Sequence, residues 1–130
     1  MAAGYVVTLR NAQLDAFTTF AAGAGKLRIY SGTRPATGGA ITTLLVELTM
    51  NATSFPASAS ATLTANAITS GTAVATGTAT WGRLFKSDGT TIVADFGVAT
   101  SGMEVTIATV SIVTSATVSC SSFVITRGNP

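Results

Sequence analysis

A hairpin signal in the second half of the chain is the feature that most constrains the fold. The motif Ser87-Asp88-Gly89-Thr90 separates two runs rich in strand-forming residues, 83–86 and 91–96. An Asp-Gly pair suits the positive φ values that a tight hairpin turn requires. The sequence therefore predicts two antiparallel strands joined at this turn, and the rest of the chain has to fit a sheet.

Other segments carry the same preference for strands. Apolar residues occupy every second position in one run: Leu44, Val46, Leu48 and Met50. Such alternation is typical of a half-buried strand, and Leu45 on the opposite face predicts a second layer that covers it. Further strands are predicted at 5–9, 26–30, 61–65, 73–86, 103–113 and 117–126. Within 103–113 the apolar parity shifts between Ile107 and Val110, which predicts a bulge.

One helix is predicted near the N-terminus. Asn11 suits the N-cap position, and Leu14, Phe17 and Phe20 follow it at helical spacing. Gly23 lies where such a helix would end. We expect the three apolar side chains to pack the helix onto the sheet.

The fold class follows from this order of elements. About eight turn-separated strands, one short N-terminal helix and no alternation of helices with strands predict a mainly all-β chain. We expect a single domain over residues 1–130, built as a β-sandwich or jelly roll. The predicted core includes Leu44, Val46, Leu48, Trp81 and Phe85.

Composition narrows the class of function. Only 9% of the residues are charged, against roughly 25% in an ordinary soluble domain. Part of the surface is therefore expected to be covered in an assembly. The alternative is a charge-poor extracellular β-domain that stays soluble through its hydroxyl groups.

Catalytic and metal-binding chemistry finds little support in the sequence. The chain has no His and one Cys, Cys120, which we interpret as a small buried residue. Asp95 and Glu104 flank a predicted loop and could approach each other, but their spacing favours two solvated charges over a metal or catalytic pair. Trp81 and Tyr30 could form a sugar-binding platform, although a core position is the simpler interpretation. We predict a non-enzyme without cofactor or metal.

Nucleic acid and membrane partners are not expected either. Five Arg and two Lys are scattered along the chain without a basic run, whereas binding to nucleic acid requires several phosphate contacts at once. No apolar run approaches the roughly 18 residues of a membrane helix. The N-terminus lacks a signal-peptide pattern, so we expect assembly in a cytoplasm.

Several motifs resemble small proteins encoded in the structural gene clusters of tailed bacteriophages. They are residues 27–36 (LRIYSGTRPA), 42–48 (TTLLVEL), 78–81 (TATW) with Arg83, 86–91 (KSDGTT) and 122–128 (SFVITRG). Together the matching segments are spread over most of the chain. The resemblance implies a virion component assembled in the host bacterial cytoplasm, and it brings no catalytic residues with it.

The resemblance leaves the position on the particle open. A head decoration or cement protein that binds the major capsid protein is the first expectation, as a homo-oligomer of which a trimer is one form. A tail- or neck-associated protein or fibre-base module, and a glycan-binding adhesion module, are the alternatives. Because Arg suits interfaces, Arg28, Arg34 and Arg83 are the predicted interface residues.

Overall fold

The computed structural model describes residues 4–127, which contain one helix and eleven strands. The elements are α1 (Val7–Ala21), β1 (Lys26–Ser31), β2 (Thr43–Thr49), β3 (Thr62–Thr64), β4 (Gly71–Thr72), β5 (Gly77–Thr78), β6 (Trp81–Phe85), β7 (Ile92–Ala99), β8 (Val105–Ile107), β9 (Ser111–Ile112), β10 (Thr117–Val118) and β11 (Cys120–Thr126). Strands account for 40% and the helix for 12% of the structure. The prediction of a mainly β chain with one N-terminal helix is therefore confirmed.

Seven of the strands form one large sheet in the order β2-β1-β6-β7-β8-β11-β3. All neighbours are antiparallel except β7 and β8, which run parallel, so the sheet is mixed. It is not closed into a barrel. Strand β7 lies at its centre, and the neighbouring β6 is buried on both faces.

The four remaining strands lie outside the large sheet and form two short ladders along one pair of chain segments. β4 pairs with β10 and β5 pairs with β9, both antiparallel. Backbone hydrogen bonds between Ala73 and residues 115–116 extend the first ladder, and the Thr76 hydroxyl links the two strands at Thr114, between the two ladders. We refer to residues 71–79 and 110–118 together as the ribbon. The ribbon covers Leu45, which is fully buried, as the prediction of a second layer requires.

The N-terminal segment differs from the prediction. Residues 5–9 were expected to form a strand, but α1 begins at Val7, with Val6 as an extended N-cap residue that makes no side-chain capping bond. Asn11 therefore lies inside the helix rather than at its cap. Its side-chain oxygen instead accepts a hydrogen bond from the Ala61 N–H at 2.8 Å. The local strand preference of the valines is overridden by this tertiary contact and by the packing of Leu14.

Three predicted strands are interrupted where the chain passes between the large sheet and the ribbon. The segment 73–86 is divided among the ribbon and β6, and 103–113 is divided between β8 and β9. The parity shift between Ile107 and Val110 thus marks a break between two sheets rather than a bulge. The segment 117–126 is likewise divided into β10 and β11. The strand count of about eight was too low for this reason.

Part of the hydrophobic core lies between α1 and one face of the large sheet. Leu14 is buried there, and Phe17 makes edge-to-face contacts with Phe55 and Phe96 at centroid distances of 5.7 and 6.4 Å. Phe123 completes this aromatic cluster at 4.7 Å from Phe96. Such geometry adds about 0.5–1.5 kcal/mol per pair beyond the burial of area. The helix is therefore fixed by Leu14 and Phe17.

Two predicted core residues lie elsewhere. Phe20 is 50% exposed, and the Lys86 ammonium lies 4.2 Å from its ring centroid. Leu44 is only half-buried, because a bulge in the β1–β2 ladder makes Leu45 the extra residue between the partners of Ile29 and Tyr30. The predictions for Val46, Leu48, Trp81 and Phe85 are confirmed by their burial.

The predicted hairpin is confirmed, with β6 and β7 antiparallel on either side of the turn. The Asp88 carboxylate accepts hydrogen bonds from the Thr90 and Thr91 N–H groups at 2.8 and 2.9 Å. These bonds and the Thr91 hydroxyl hold the pKa of Asp88 well below its usual range. Gly89 has φ +71°, in the left-handed region.

Gly89→Ala should lower the free energy of unfolding by about 1–2 kcal/mol, because a side chain at this φ is strained. A Cβ there would also lie 3.0 Å from Arg28 Nη2. Urea unfolding measures the change, with Ser87→Ala, an exposed position of the same turn, as the control. Equal stability of the two variants would contradict the role assigned to Gly89.

Candidate functional site

The three predicted interface arginines lie on one face of the large sheet, opposite α1. Arg28 and Arg83 are direct partners in the β1–β6 ladder, so their side chains leave the sheet on the same face. Arg34 belongs to the loop 32–42, and its Nη2 donates a hydrogen bond to the Asp95 carbonyl oxygen at 3.2 Å. We refer to this side of the sheet as the arginine face.

The centre of the arginine face is a buried ion pair. Arg83 Nε and Nη2 donate to the two carboxylate oxygens of Asp95 at 2.6 and 3.1 Å, and both side chains are almost fully buried. The Gly38 N–H donates to Asp95 Oδ2 at 3.1 Å and so ties the loop to the pair. Bidentate geometry with an extra donor is the arrangement that makes such a buried pair tolerable.

The pKa values of the pair follow from this geometry. Burial by itself would raise the pKa of Asp95, but the hydrogen bonds from Arg83 and Gly38 and the Arg83 charge outweigh it, so that pKa lies below its ordinary value. The hydrogen bond with Asp95 raises the pKa of Arg83, against the opposing effect of burial. Both groups are therefore charged at neutral pH.

Two sequence predictions are corrected by this pair. Arg83 is 2% exposed, so it is a core residue of the folded chain and presents no side-chain surface to a partner. Asp95 lies in β7 rather than in a solvated loop. The hairpin motif alone does not predict the pair, because Arg83 and Asp95 become direct partners only through the register shift between Leu84 and Phe85.

An aromatic stack lies beside the ion pair. The rings of Tyr30 and Trp81 are 4.4 Å apart and 18° from parallel, and the Arg83 guanidinium lies 5.1 Å from the Trp81 ring. Trp81 Nε1 donates to Thr42 Oγ1 at 2.9 Å, a second link between the sheet and the loop. Burial raises the pKa of the Tyr30 hydroxyl, partly offset by the charges of Arg28 and Arg83. Both rings are buried, so they offer no platform on which a sugar could stack.

Arg28 and Arg34 remain at the surface of this face. Arg28 Nε donates to Glu47 Oε2 at 2.6 Å, and its guanidinium lies 4.5 Å from the Phe85 ring centroid. Its side chain is 26% exposed, whereas Arg34 belongs to the exposed class. The arginine face thus presents these two cations over a rigid, buried support of ion pair and aromatic stack. Their contact with a partner stays a prediction.

The carboxylates do not converge on a common point. Glu104 Oε1 accepts a hydrogen bond from the Gly97 N–H at 3.3 Å, whereas Asp95 is bound to Arg83. Within residues 4–127, no group of three or more His, Cys, Asp or Glu side chains is arranged to hold a metal ion. A groove of about 470 Å³ beside Glu104 is lined otherwise by apolar and hydroxyl-bearing residues, Met103 and Ile125 among them.

Cys120 is half-buried, and burial raises the pKa of its thiol. A raised pKa disfavours the reactive thiolate, in agreement with the interpretation of Cys120 as a small packing residue. Among residues 4–127, α1 is too short to cross a membrane.

Comparison with known proteins gives no relative from which a role could be transferred: no protein family, curated protein or solved structure matches the chain. We therefore infer the function from the sequence motifs and side-chain contacts of this chain.

Proposed function

We propose that this chain is a non-enzymatic structural component of a tailed-bacteriophage virion, and that it decorates the capsid by binding across neighbouring capsid subunits. The family is suggested by the sequence motifs, above all 27–36 and 86–91. The physical support comes from the way the chain uses its few charges.

Every charged side chain of the protein has a partner within the same chain. The cations make these contacts: Arg10 with the Arg127 carbonyl, Lys26 with Thr49, Arg28 with Glu47, Arg34 with the Asp95 carbonyl, Arg83 with Asp95, Lys86 with the Phe20 ring, and Arg127 with Gln13. The carboxylates make these contacts: Asp15 with the Ser58 N–H, Glu47 with Arg28, Asp88 with Thr91, Asp95 with Arg83, and Glu104 with the Gly97 N–H. Because only 9% of the residues are charged, the surface is made mainly of hydroxyl and apolar groups. Such a surface suits permanent packing against other proteins more than turnover of a substrate.

The sheet edges favour contact through side chains rather than strand addition. The outer edge of β2 is covered by the start of the ribbon, where the Val74 N–H donates to the Leu45 carbonyl, and by the preceding residue Thr69, which pairs with Thr49. The other edge is β3, which has only three residues. Short or covered edges resist pairing with foreign strands. The proposed binding therefore uses preformed faces of the domain.

A decoration protein of this kind acts by mass action. It binds the assembled shell and not the separated subunits, so the assembled state is stabilised in proportion to the logarithm of its free concentration over the dissociation constant. No chemical step is needed. The rigid support under Arg28 and Arg34 would let the arginine face bind without reordering, which keeps the entropic cost of binding low.

Arg34→Ala should weaken binding of the purified protein to empty phage heads by roughly tenfold, a loss typical of an interfacial arginine. Sedimentation of heads with bound protein, followed by quantification, gives the affinity. Arg127→Ala is the matched control, since Arg127 is also exposed but lies outside the arginine face and bonds Gln13. Unchanged affinity of the Arg34 variant would remove Arg34 from the interface. Failure of the unmodified protein to bind heads would contradict decoration itself.

A further inference from the structure

The charges of this protein are confined to part of the chain. Residues 48–82 and 105–126 contain no Asp, Glu, Lys, Arg or His. Both strands of the ribbon, 71–79 and 110–118, come entirely from these two segments. The fold thus brings two distant charge-free stretches together on one surface, which no local sequence pattern requires.

The ribbon exposes apolar side chains between hydroxyl groups. Val74 and Val113, one from each strand of the ribbon, are 64% and 57% exposed. Between the strands, Thr76 and Thr114 bond each other through their hydroxyls at 3.0 Å. The Thr114 N–H also donates to Thr76 Oγ1. These two hydroxyls satisfy each other, so they would keep a partner if the ribbon were covered.

We propose that the ribbon is the surface through which copies of this chain contact one another. This inference deepens the proposed function and depends on it, since it assigns the self-contact of the decorating oligomer. In a closed symmetric assembly, each side chain near the axis faces its own counterpart on the next copy. A charge in that position would repel its counterpart, and the chain carries a net charge of +2. A charge-free apolar surface is therefore what a contact near the axis requires, whereas a different partner could have matched charges.

The ribbon also has the rigidity that such a contact needs. It is fixed to β2 through the hydrogen bond from the Val74 N–H to the Leu45 carbonyl, and Gly71 packs so closely that a Cβ there would lie 2.1 Å from the Glu47 carbonyl oxygen. Beside the ribbon a concavity of about 100 Å³ is lined by residues that include Ile107 and Val113.

The test is the molar mass of the free protein, measured by light scattering after size exclusion over a range of micromolar concentrations. The unmodified protein should have a multiple of the 13.0 kDa chain mass. Val74→Asp and Val113→Asp should each reduce the mass to that of one chain, because a buried carboxylate would face its own copy. Val6→Asp is the matched control, since Val6 is 71% exposed at the N-cap of α1, outside the ribbon, and should leave the mass unchanged. Circular dichroism confirms that each variant is folded.

The outcomes separate this inference from the proposed function. A single-chain mass for the unmodified protein, or an unchanged mass in both ribbon variants, would overturn the self-contact. A reduced mass in the Val6 variant would overturn its location on the ribbon. If the unmodified protein is a single chain and Val74→Asp abolishes binding to empty heads, the ribbon contacts the capsid instead and the self-contact is wrong. If the mass behaves as expected but heads are not bound, the proposed function fails and the ribbon contact stands.

Discussion

Asp95→Ala should lower the free energy of unfolding by about 3–5 kcal/mol, because it leaves the Arg83 guanidinium buried without its counter-charge. The loss is a large part of the roughly 5–15 kcal/mol that stabilises a typical domain. It should extend to the loop 32–42, since Asp95 also accepts a hydrogen bond from the Gly38 N–H. Chemical denaturation, followed by tryptophan fluorescence, measures the effect through Trp81 beside the pair.

Two controls separate the buried pair from the loss of any carboxylate. The double variant Arg83→Met with Asp95→Leu should recover most of the lost stability, because neither side chain then requires a counter-charge. Asp15→Ala removes an exposed carboxylate whose hydrogen bonds are with the backbone and side chain of Ser58. It should lower the free energy of unfolding much less than Asp95→Ala does. A loss in the Asp95 variant no larger than in the Asp15 variant would show that the pair contributes little to the fold.

The same pair sets the response to acid. The pKa of Asp95 in the folded chain lies below its ordinary value of 3.8, so the unfolded chain binds a proton first as the pH falls. The stabilisation from the ionised carboxylate is complete above pH 3.8 and is lost as the pH falls toward the lower folded value. In Asp95→Asn this part of the pH dependence should be absent, which a series of unfolding curves below pH 5 tests.

Trp81→Ala should lower the free energy of unfolding by about 3–5 kcal/mol, the usual effect of truncating a fully buried large aromatic side chain. Trp81 is 0% exposed, stacks on Tyr30 and donates to Thr42. Thermal unfolding followed by circular dichroism measures the change. Trp81→Phe is the control that keeps an aromatic ring but removes the indole donor, and it should lose clearly less stability. A change below about 1 kcal/mol in the alanine variant would contradict the close packing of this face.

Local signals in the sequence predicted the parts of the fold that depend on neighbouring residues. The Asp88-Gly89 turn, a strand at Thr43–Thr49 and the helix around Leu14 and Phe17 are confirmed, although a bulge at Leu45 interrupts the expected alternation of that strand. These features depend on turn geometry and side-chain periodicity, which are determined by residues close together in the sequence. The helix start was missed because Val6 and Val7 favour strands locally, whereas the helix is stabilised by contacts of Asn11 and Leu14 with distant parts of the chain.

The ribbon and the buried ion pair were beyond local inference for different reasons. The ribbon joins segments about forty residues apart whose short ladders have two residues on each strand, too few for a periodic signal. The interface prediction for Arg83 was drawn from residue type alone, which does not distinguish a surface arginine from a buried one. Pairing it with Asp95 required extending the hairpin register past the bulge between Leu84 and Phe85.

We propose that this protein is a structural part of the virion shell. The most direct test is its copy number in purified particles, by quantitative mass spectrometry against the major capsid protein. We expect a count in the hundreds, in fixed proportion to the capsid subunits. A dozen copies or fewer would contradict decoration and assign the protein to the neck, tail or fibre, and its absence from the particle would contradict a structural role in the virion.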